Sequence, residues 1–379
     1  MDFELSEEQR LIRETTRRFA LKEIAPIAAE YDREEKYPAE LCQKAVEVGL
    51  VGPTIPEEYG GPGYGFFEQA LISEELSRVD LGVGQCVEAR SFGSQLVQFF
   101  GSEEQKQRWL PPLVSGEMVS AGAFTEPDAG TDVAAVRTKA VREGDEFVVT
   151  GNKMFITNGS ICDYYLVLCL TDPKSEERYA RHSIIIVEAD RPGVSARKIH
   201  GKMGIRASDT AEVSFDQVRV PAANLVGDPG RGFHQLMHFF DVTRTMVAAQ
   251  GVGLAQGALE LALKYTQERI VFGKPLIVNQ GLQFQLAEMA TRIELSRLAC
   301  YRAAWLVDQG QTDPKLNAMA KYYAGETAVW VCDKALQMHG GYGYIDEYDI
   351  QRFYRHAKIL EIYEGAKEAE KITIARRLV

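Results

Sequence analysis

The chain has 379 residues, too many for one small hydrophobic core, so two or three domains are expected. A hydrophobic content of 45% and a charged content of 26% are ordinary for a soluble globular protein. The net charge of −11 argues against a nucleic-acid or anionic-membrane surface, because both need clustered Lys and Arg.

The six cysteines form no Cys-x-x-Cys pair, and we interpret them as small buried residues in a reducing compartment. No uninterrupted apolar run reaches the roughly 18 residues of a membrane-spanning helix. The acidic, amphipathic N-terminus is unlike a secretory signal. These features predict a cytoplasmic protein without a membrane span.

Residues 1–117 are predicted to form a helical domain. Ser6, followed three residues later by Gln9, predicts a capping box at the start of the first helix. The Gly- and Pro-rich stretch 56–65 excludes regular structure at that point. Further helical patterns cover residues 38–49, 66–78 and 85–114.

Residues 118–228 change to short runs of β-branched and aromatic residues separated by turns, which predict strands. The alternation slips between Phe215 and Val218, which indicates an irregularity. No helix-length segment lies between the runs, so an antiparallel barrel or sandwich is expected instead of a Rossmann unit. The predicted strands are 146–150, 164–170, 183–187 and 212–215.

Residues 229–379 return to a helical pattern and predict an antiparallel helical bundle. The long helices are expected at about 231–270, 280–309 and 314–339. The predicted fold class is therefore α+β and mainly α, with a helical domain, a middle antiparallel β domain and a C-terminal bundle.

Two tempting motifs favour structural interpretations. The glycines of segment 251–257 have the wrong spacing for a dinucleotide loop and lie within a helix, so close helix packing is favoured. His234 and His238 are four residues apart but lack a zinc-protease Glu and an obvious third ligand, so no metal site is predicted.

Two segments of the β region are candidates for holding a flat polar ring. The loop at 123–132 offers backbone N–H groups and hydroxyls, although a purely structural loop is the alternative. The segment 153–159 places Phe155 and Thr157 two residues apart on one strand, which suits a heteroaromatic cofactor. The alternative is an ordinary core Phe.

Three helical segments carry candidate anion-binding residues. Asp241 and Arg244 lie three residues apart on a helix and either bind a ligand or simply pair with each other. Arg269 precedes a Phe-Gly-Lys-Pro helix end and suits a pyrophosphate. The glycines within 337–343 either allow close approach of a phosphate or cap a helix.

Glu364 stands between an aromatic residue and a glycine, in a stretch between two helical patterns. If the glycine breaks the helix, the carboxylate can project into a cleft. With all of these segments in order, the chain resembles an acyl-CoA dehydrogenase from about residue 5 to its C-terminus.

The resemblance implies a middle β-barrel and a C-terminal four-helix bundle, non-covalent FAD, an acyl-CoA substrate, an electron-transferring flavoprotein as partner, and a homotetramer built as a dimer of dimers. It implies Glu364 as the catalytic base. Arg269 and Phe272 resemble residues that reach the FAD of a neighbouring subunit. The full set of implied cofactor contacts is Gly122, Ala123, Phe124, Thr125, Thr131, Phe155, Ile156, Thr157, Arg269, Phe272, Asn279, Gln280, Gln337, Gly340, Gly341, Ala366 and Glu368. The implied substrate contacts are Glu88, Thr131, Asp241, Arg244, Tyr363 and Gly365.

Mechanistically, burial of Glu364 should raise its pKa and suit it to remove the proton beside a thioester carbonyl. Some family members place the base at the position of Thr243, so Glu364 is expected to act alone. Val83 stands where glutaryl-CoA dehydrogenases have an Arg, and Arg90 and Ser91 either tune the pocket or pack. Ala366 replaces a usual Thr. The acyl group and the direction of reaction stay open, and the alternatives are a flavin oxidase or monooxygenase and a non-catalytic CoA-binding protein.

Overall fold

The structure is a computed structural model and describes residues 4–379. Helices occupy both ends of the chain and a sheet lies between them, so the predicted order of elements is confirmed. The N-terminal helices are α1 Glu7–Phe19, α2 Ala28–Glu34, α3 Ala39–Glu47, α4 Phe66–Val79, α5 Leu81–Glu88, α6 Ser94–Phe100, α7 Glu103–Trp109 and α8 Pro111–Val114. The strands of the main sheet are β1 Ser120–Ala123, β2 Lys139–Glu143, β3 Glu146–Thr157, β4 Tyr164–Leu170, β5 His182–Glu188, β6 Val194–Lys198, β7 Thr210–Pro221 and β8 Leu225–Val226. The C-terminal elements are α9 Gly232–Glu268, β9 Ile270–Val271, β10 Lys274–Pro275, α10 Gln280–Asp308, α11 Pro314–His339, α12 Ile350–Ala357 and α13 Lys367–Ala375.

The N-terminal region confirms the capping box at Ser6 and Gln9, in which each side chain bonds the other residue's backbone. The single helical pattern expected at 85–114 is wrong, because the chain there forms four short helices. Gly93 and Gly101 flank α6, and the first of these has a φ of +94° that favours glycine. All six cysteines are buried, as expected.

The middle sheet has the strand order β6-β7-β3-β2-β4-β5-β8, with β1 paired to β4. The expectation of a purely antiparallel sheet is wrong, because β1 and β2 both pair with β4 in parallel. The β2–β3 hairpin lies between β1 and β4 in sequence and returns the chain, so no helix is needed for these parallel pairs. Strands β1, β2, β6 and β8 escaped prediction because they are short or carry many exposed polar residues.

The predicted irregularity in β7 is confirmed. The β3–β7 pairing shifts register between Val149 and Gly151, opposite Phe215 and Val218, and Gln217 adopts a φ of +50°. A second shift lies between Lys153 and Ile156. Such bulges bend a strand and redirect its side chains.

Helix α9 passes through the centre of the C-terminal core and packs against α4, α10 and α11. A Cβ atom at Gly253 would lie 2.1 Å from the carbonyl oxygen of Glu74, and one at Gly257 would lie 2.1 Å from that of Arg78. The glycines therefore permit backbone contact with α4, which confirms the helix-packing interpretation. By length and composition α9 would suit a membrane span, but 78% of its most apolar window is buried within the fold.

Asp80 connects the N-terminal helices to α12. One carboxylate oxygen accepts from the Val83 N–H at 2.9 Å, and the other accepts from Arg352 Nε at 2.7 Å. His356 Nε2 lies 3.6 Å from the same oxygen, and all three ionisable groups are buried. Burial acts to raise the pKa of Asp80, but His356 and Arg352 outweigh it and lower that pKa.

We expect Asp80→Asn to lower the free energy of unfolding by about 3–5 kcal/mol, because it removes the buried carboxylate that faces Arg352 and leaves only a half-exposed one. Asp349→Asn is the matched control, since Asp349 also pairs with Arg352 at 2.8 Å but is half exposed. The control should cost at most about 1 kcal/mol. Denaturant midpoints measure the stability of both variants. Equal losses of stability would contradict the assignment of Asp80 as the main contact between the N-terminal helices and α12.

Candidate active site around Glu364

Glu364 lies in a turn between a 3-10 segment, Lys358–Glu361, and helix α13. The predicted break at the glycine is therefore present. Glu364 has a φ of +56°, which is uncommon for a residue with a side chain, and Gly365 has a φ of +108°. That φ favours glycine, and a Cβ atom at Gly365 would also lie 2.0 Å from Glu370 Oε1, so a side chain here would have to displace the Glu370 carboxyl. Strained backbone of this kind concentrates at functional sites.

The Glu364 carboxyl is half-buried and has one hydrogen-bond donor. Thr243 Oγ1, on α9, donates to Glu364 Oε2 at 2.6 Å. Burial raises the pKa of Glu364, while the hydrogen bond from Thr243 and the charges of Arg244 and Lys321 partly oppose the rise. A carboxylate with a raised pKa is suited to accept a proton near neutral pH.

Arg244 joins α9 to the Glu364 turn. Its guanidinium bonds Asp241 Oδ1 at 2.9 Å and lies 3.1 Å from Glu370 Oε1. Its Nε also donates to the Glu364 carbonyl at 3.4 Å. Asp241 and Arg244 therefore pair with each other, which was one of the two possibilities that their spacing on the helix allowed. Burial raises the pKa of Asp241, and Arg244 opposes that rise.

A buried polar network adjoins the other side of the turn. The Tyr363 hydroxyl donates to Gln250, whose amide donates in turn to Glu88 and, at 2.8 Å, to Gln85. Burial raises the pKa of Glu88 to about 7. Glu88 Oε1 is buried without a hydrogen-bond partner among the described residues. The network places Glu88 and Tyr363, two expected substrate contacts, on one chain of hydrogen bonds.

Arg90 and Ser91 serve packing. Arg90 donates to the Gly116 carbonyl at 2.6 Å, and Ser91 forms a parallel bridge with Ser120. Val83 is buried in the core of the N-terminal helices.

The two candidate segments of the sheet are brought together by Lys153. This fully buried side chain donates to the carbonyls of Phe124 and Leu168, at 3.0 and 2.8 Å, and to Glu126 at 2.9 Å. The Met154 N–H also donates to the Thr125 carbonyl at 2.9 Å. The segments 122–125 and 153–157 thus form one surface.

The side chains of the surface formed by segments 122–125 and 153–157 differ in their exposure to solvent. Phe155 is 66% exposed with a φ of +60°, so it is not the ordinary core Phe of the alternative interpretation. A bulge lies at Lys153–Ile156, but burial still alternates beyond it, from the exposed Phe155 through the buried Ile156 to the half-buried Thr157. Ile156 is buried in the sheet core, and the Phe124 ring is buried against Phe239. Gly122 and Ala123 lie in β1 and are buried.

A second surface lies at the ends of α9 and α11. A cavity of about 500 Å³ is lined by residues that include Arg269, Gly340 and Gly341. The Arg269 guanidinium lies 5.5 Å from the centre of the Tyr342 ring, and Phe272 is fully exposed at the tip of the β9–β10 hairpin. Within residues 4–379, no hydrogen bond or ion pair joins this cavity to the Glu364 turn.

The remaining expected contacts are at the surface or at helix ends. Thr131 is exposed beside Asp132, which pairs with Arg178. Ala366 is the N-cap residue of α13 and offers no side-chain hydrogen bond. His238 packs against the rings of Phe99 and Phe100, and the described residues contain no group of three or more potential metal ligands. The other exposed positions are Asn279, Gln280, Gln337 and Glu368.

The sequence did not single out Lys153, Lys321 or Glu370. Lys321 is fully buried on α11 and donates to the Gly365 carbonyl, and Glu370 is fully buried on α13. Charged residues in amphipathic helices are ordinarily solvated, so nothing in their spacing marks them.

Comparison with known proteins gave matches over nearly the whole chain. The acyl-CoA dehydrogenase N-terminal, middle and C-terminal domain models match residues 6–117, 121–218 and 230–379. The chain is 41% identical to the short-chain specific acyl-CoA dehydrogenase of Clostridium acetobutylicum, over 100% of both chains. It is 42% identical to the acryloyl-CoA reductase (NADH) of Anaerotignum propionicum, over 100% of this chain and 96% of that protein. A chain from a solved structure of the electron transferring flavoprotein of Acidaminococcus fermentans is 42% identical, with a TM-score of 0.97 and full coverage of both chains.

We expect Lys153→Met to lower the free energy of unfolding by about 3–5 kcal/mol, because Glu126 would stay buried without its cation. Glu126→Gln in the same chain should recover part of that loss, since no uncompensated charge then remains. Lys139→Met, at an exposed position on β2, is the control and should change stability by no more than about 0.5 kcal/mol. Chemical denaturation measures all three variants.

Proposed function

The chain belongs to the acyl-CoA dehydrogenase family, and from that premise we propose that it oxidises a short-chain acyl-CoA to the enoyl-CoA with Glu364 as the base. The observation that carries the assignment is the Glu364 turn, in which a carboxyl with a raised pKa is held at a φ of +56°. The relatives favour this function over an oxygen-using oxidase or a non-catalytic CoA-binding protein.

The residues of the chain fit FAD. Phe155 and Phe272 expose aromatic faces, and Arg269 forms no ion pair with a described residue. A Cβ atom at Gly340 or Gly341 would meet nothing within 4 Å, so the backbone there is open to a diphosphate. FAD, when bound, supplies the acceptor for the hydride that leaves the β-carbon. Thr125 and Thr157 at the sheet surface, and Arg269 with Gly341 at the second surface, are the proposed contacts.

Glu364 removes the proton from the α-carbon of the thioester. Partial burial disfavours its charge, so transfer of a proton to it is easier than to a solvated carboxylate. The Glu364 N–H donates to no described residue and is free to stabilise negative charge on the thioester oxygen. Thr243 holds the carboxylate by one oxygen and leaves Oε1 for the substrate. Asp241 and Arg244 position the CoA portion.

Short acyl groups are the proposed substrates. The hydrogen-bonded network of Tyr363, Gln250 and Glu88 adjoins Glu364 and limits the apolar space with buried polar groups. A long alkyl chain would break these hydrogen bonds or leave them unsatisfied, which is costly. The relative from Clostridium acetobutylicum is short-chain specific. The reductase relative makes enoyl-CoA reduction the second candidate for the physiological direction.

An electron-transferring flavoprotein is the proposed acceptor and the cytoplasm the proposed location. We propose a homotetramer, and self-association is supported because α10 leaves an apolar stripe in contact with solvent. Phe284, Leu295, Leu298 and Trp305 are each between 45% and 65% exposed. A second copy of the chain would cover them.

Purified protein should be yellow, and butyryl-CoA should bleach it under anaerobic conditions faster than octanoyl- or palmitoyl-CoA does. Glu364→Gln should bind butyryl-CoA but bleach roughly 10²- to 10⁴-fold more slowly, because the general base is lost. Stopped-flow absorbance measures the bleaching, and equilibrium titration of the oxidised flavin measures the binding. Wild-type bleaching kinetics in Glu364→Gln would refute the assignment of the base.

Leu298→Asp should shift the protein from tetramers toward smaller species, because a charge at the centre of the α10 stripe would be buried by the neighbouring copy. Val141→Asp is the matched control, since Val141 is 54% exposed on β2 of the middle sheet and lies outside the α10 stripe. Sedimentation velocity at several concentrations distinguishes the species. An unchanged tetramer in Leu298→Asp would exclude this stripe from the interface.

A further inference from the structure

Glu370 is a buried carboxyl that the mechanism above does not use. It lies on α13, six residues after the base, and is fully buried. Neither of its oxygens accepts a hydrogen bond of ordinary geometry from a described residue. Buried carboxyl groups normally have hydrogen-bond partners, so an unsatisfied one calls for an explanation.

The position of Glu370 ties it to the Glu364 turn. A Cβ atom at Gly365 would lie 2.0 Å from Glu370 Oε1, so the carboxyl occupies the space that a side chain at this position would fill. Arg244 Nε lies 3.1 Å from the same oxygen and also donates to the Glu364 carbonyl. Lys321 donates to the Gly365 carbonyl. Arg244 thus contacts both Glu370 and the backbone of the turn, and Lys321 contacts the backbone of the turn at Gly365.

The charges around Glu370 come from three packed elements. Helix α9 contributes Asp241 and Arg244, α11 contributes Lys321, and the turn contributes Glu364. Two cations therefore face three carboxyl groups. Arg377 also acts on Asp241, and Glu361 acts on Lys321; their charges are opposite, so full ionisation still leaves one negative charge in excess. Such an excess in a buried cluster is unfavourable, so one carboxyl should hold a proton over part of the neutral range.

Resting on the function proposed above, we propose that Glu370 is a positioning residue for the base. Glu370 loses a proton independently of catalysis, and its negative charge next to the turn then makes Glu364 a stronger base. Burial raises the pKa of Glu370 to about 7, with Arg244 and Lys321 opposing the rise and Asp241 and Glu364 adding to it. Burial lowers the pKa of Lys321 to about 8, while Glu370 and Glu364 oppose that change. The two groups therefore titrate close to each other, and their proton affinities are coupled.

The consequence is a second step in the pH dependence of the reaction. When Glu370 loses its proton, the added negative charge raises the proton affinity of Glu364. The rate of proton removal should then rise on the order of threefold between roughly pH 6 and pH 8, because a more basic carboxylate accepts the proton more readily. A residue that only fills space beneath Gly365 would produce no such step.

The test compares pH profiles of kcat/KM for butyryl-CoA in the wild type, Glu370→Gln and Glu370→Asp. The wild type is first tested for flavin bleaching by butyryl-CoA. If it does not bleach, the proposed function is wrong, and this result is separate from the role of Glu370. Given bleaching, the wild type should show two ionisations, Glu370→Gln should show one, and Glu370→Asp should restore the second. Retention of the step in Glu370→Gln, or a wild-type profile with a single ionisation, overturns the proposal. Glu326→Gln is the control, since it removes a more exposed carboxylate that pairs with Lys367 and Lys371, and its profile should match the wild type.

Thermal stability gives a readout that is independent of turnover. A carboxyl whose folded-state pKa is raised contributes stability below its unfolded-state pKa and loses it as pH rises through the folded value. The difference between the Tm of Glu370→Gln and the Tm of the wild type should therefore shift in favour of the variant as the pH rises from about 5 to about 8. A constant difference in Tm would overturn the proposal. Should Glu370→Gln not fold, Lys321→Gln serves instead, because loss of that cation should move the wild-type step to higher pH, and an unmoved step counts against the proposal.

Discussion

Burial of charge beneath the Glu364 turn is the constraint on which the site depends. Arg244 and Lys321 come from two different helices of the C-terminal core, and both contact the backbone of the turn. Each cation would be costly to bury alone, so each requires the carboxyl groups that face it. The turn is therefore held by α9 and α11 together, and its unusual backbone angles persist because the surrounding charges fix it.

The same constraint supports the proposed role of Glu364 as the base. Glu364 has one oxygen bound by Thr243 and is half-buried, so its proton affinity is raised but its charged form is still supported. A fully desolvated carboxyl would stay protonated, and a solvated one would be too weak a base. The balance is set by residues on α9, α11 and α13, not by the turn alone.

The rest of the fold keeps these helices in place. Helix α9 lies against the backbone of α4 because Gly253 and Gly257 have no side chain to separate them. Asp80 and Arg352 form a buried pair that links the N-terminal helices to α12, just before the turn. In the sheet, Lys153 binds three oxygens and fixes the surface that carries Phe155. Each of these contacts joins segments far apart in the sequence, so the site is a product of the whole chain.

The sequence by itself determined the order of helices, sheet and helices, the long C-terminal helices, the bulge in β7 and the break at Glu364–Gly365, because local periodicity and glycine placement encode such features. It also singled out Glu364, Asp241 and Arg244 as predicted site residues, through motifs that occur in a fixed order. Only the tertiary structure decided that β1 and β2 pair in parallel with β4, that Arg90 bonds the Gly116 carbonyl while Ser91 bridges to Ser120, and that Phe155 faces outward at a bulge. It alone brought Thr243, Lys321 and Glu370 to the turn, because contacts between distant residues leave no local pattern, and a charged residue destined for burial looks the same in sequence as one on the surface.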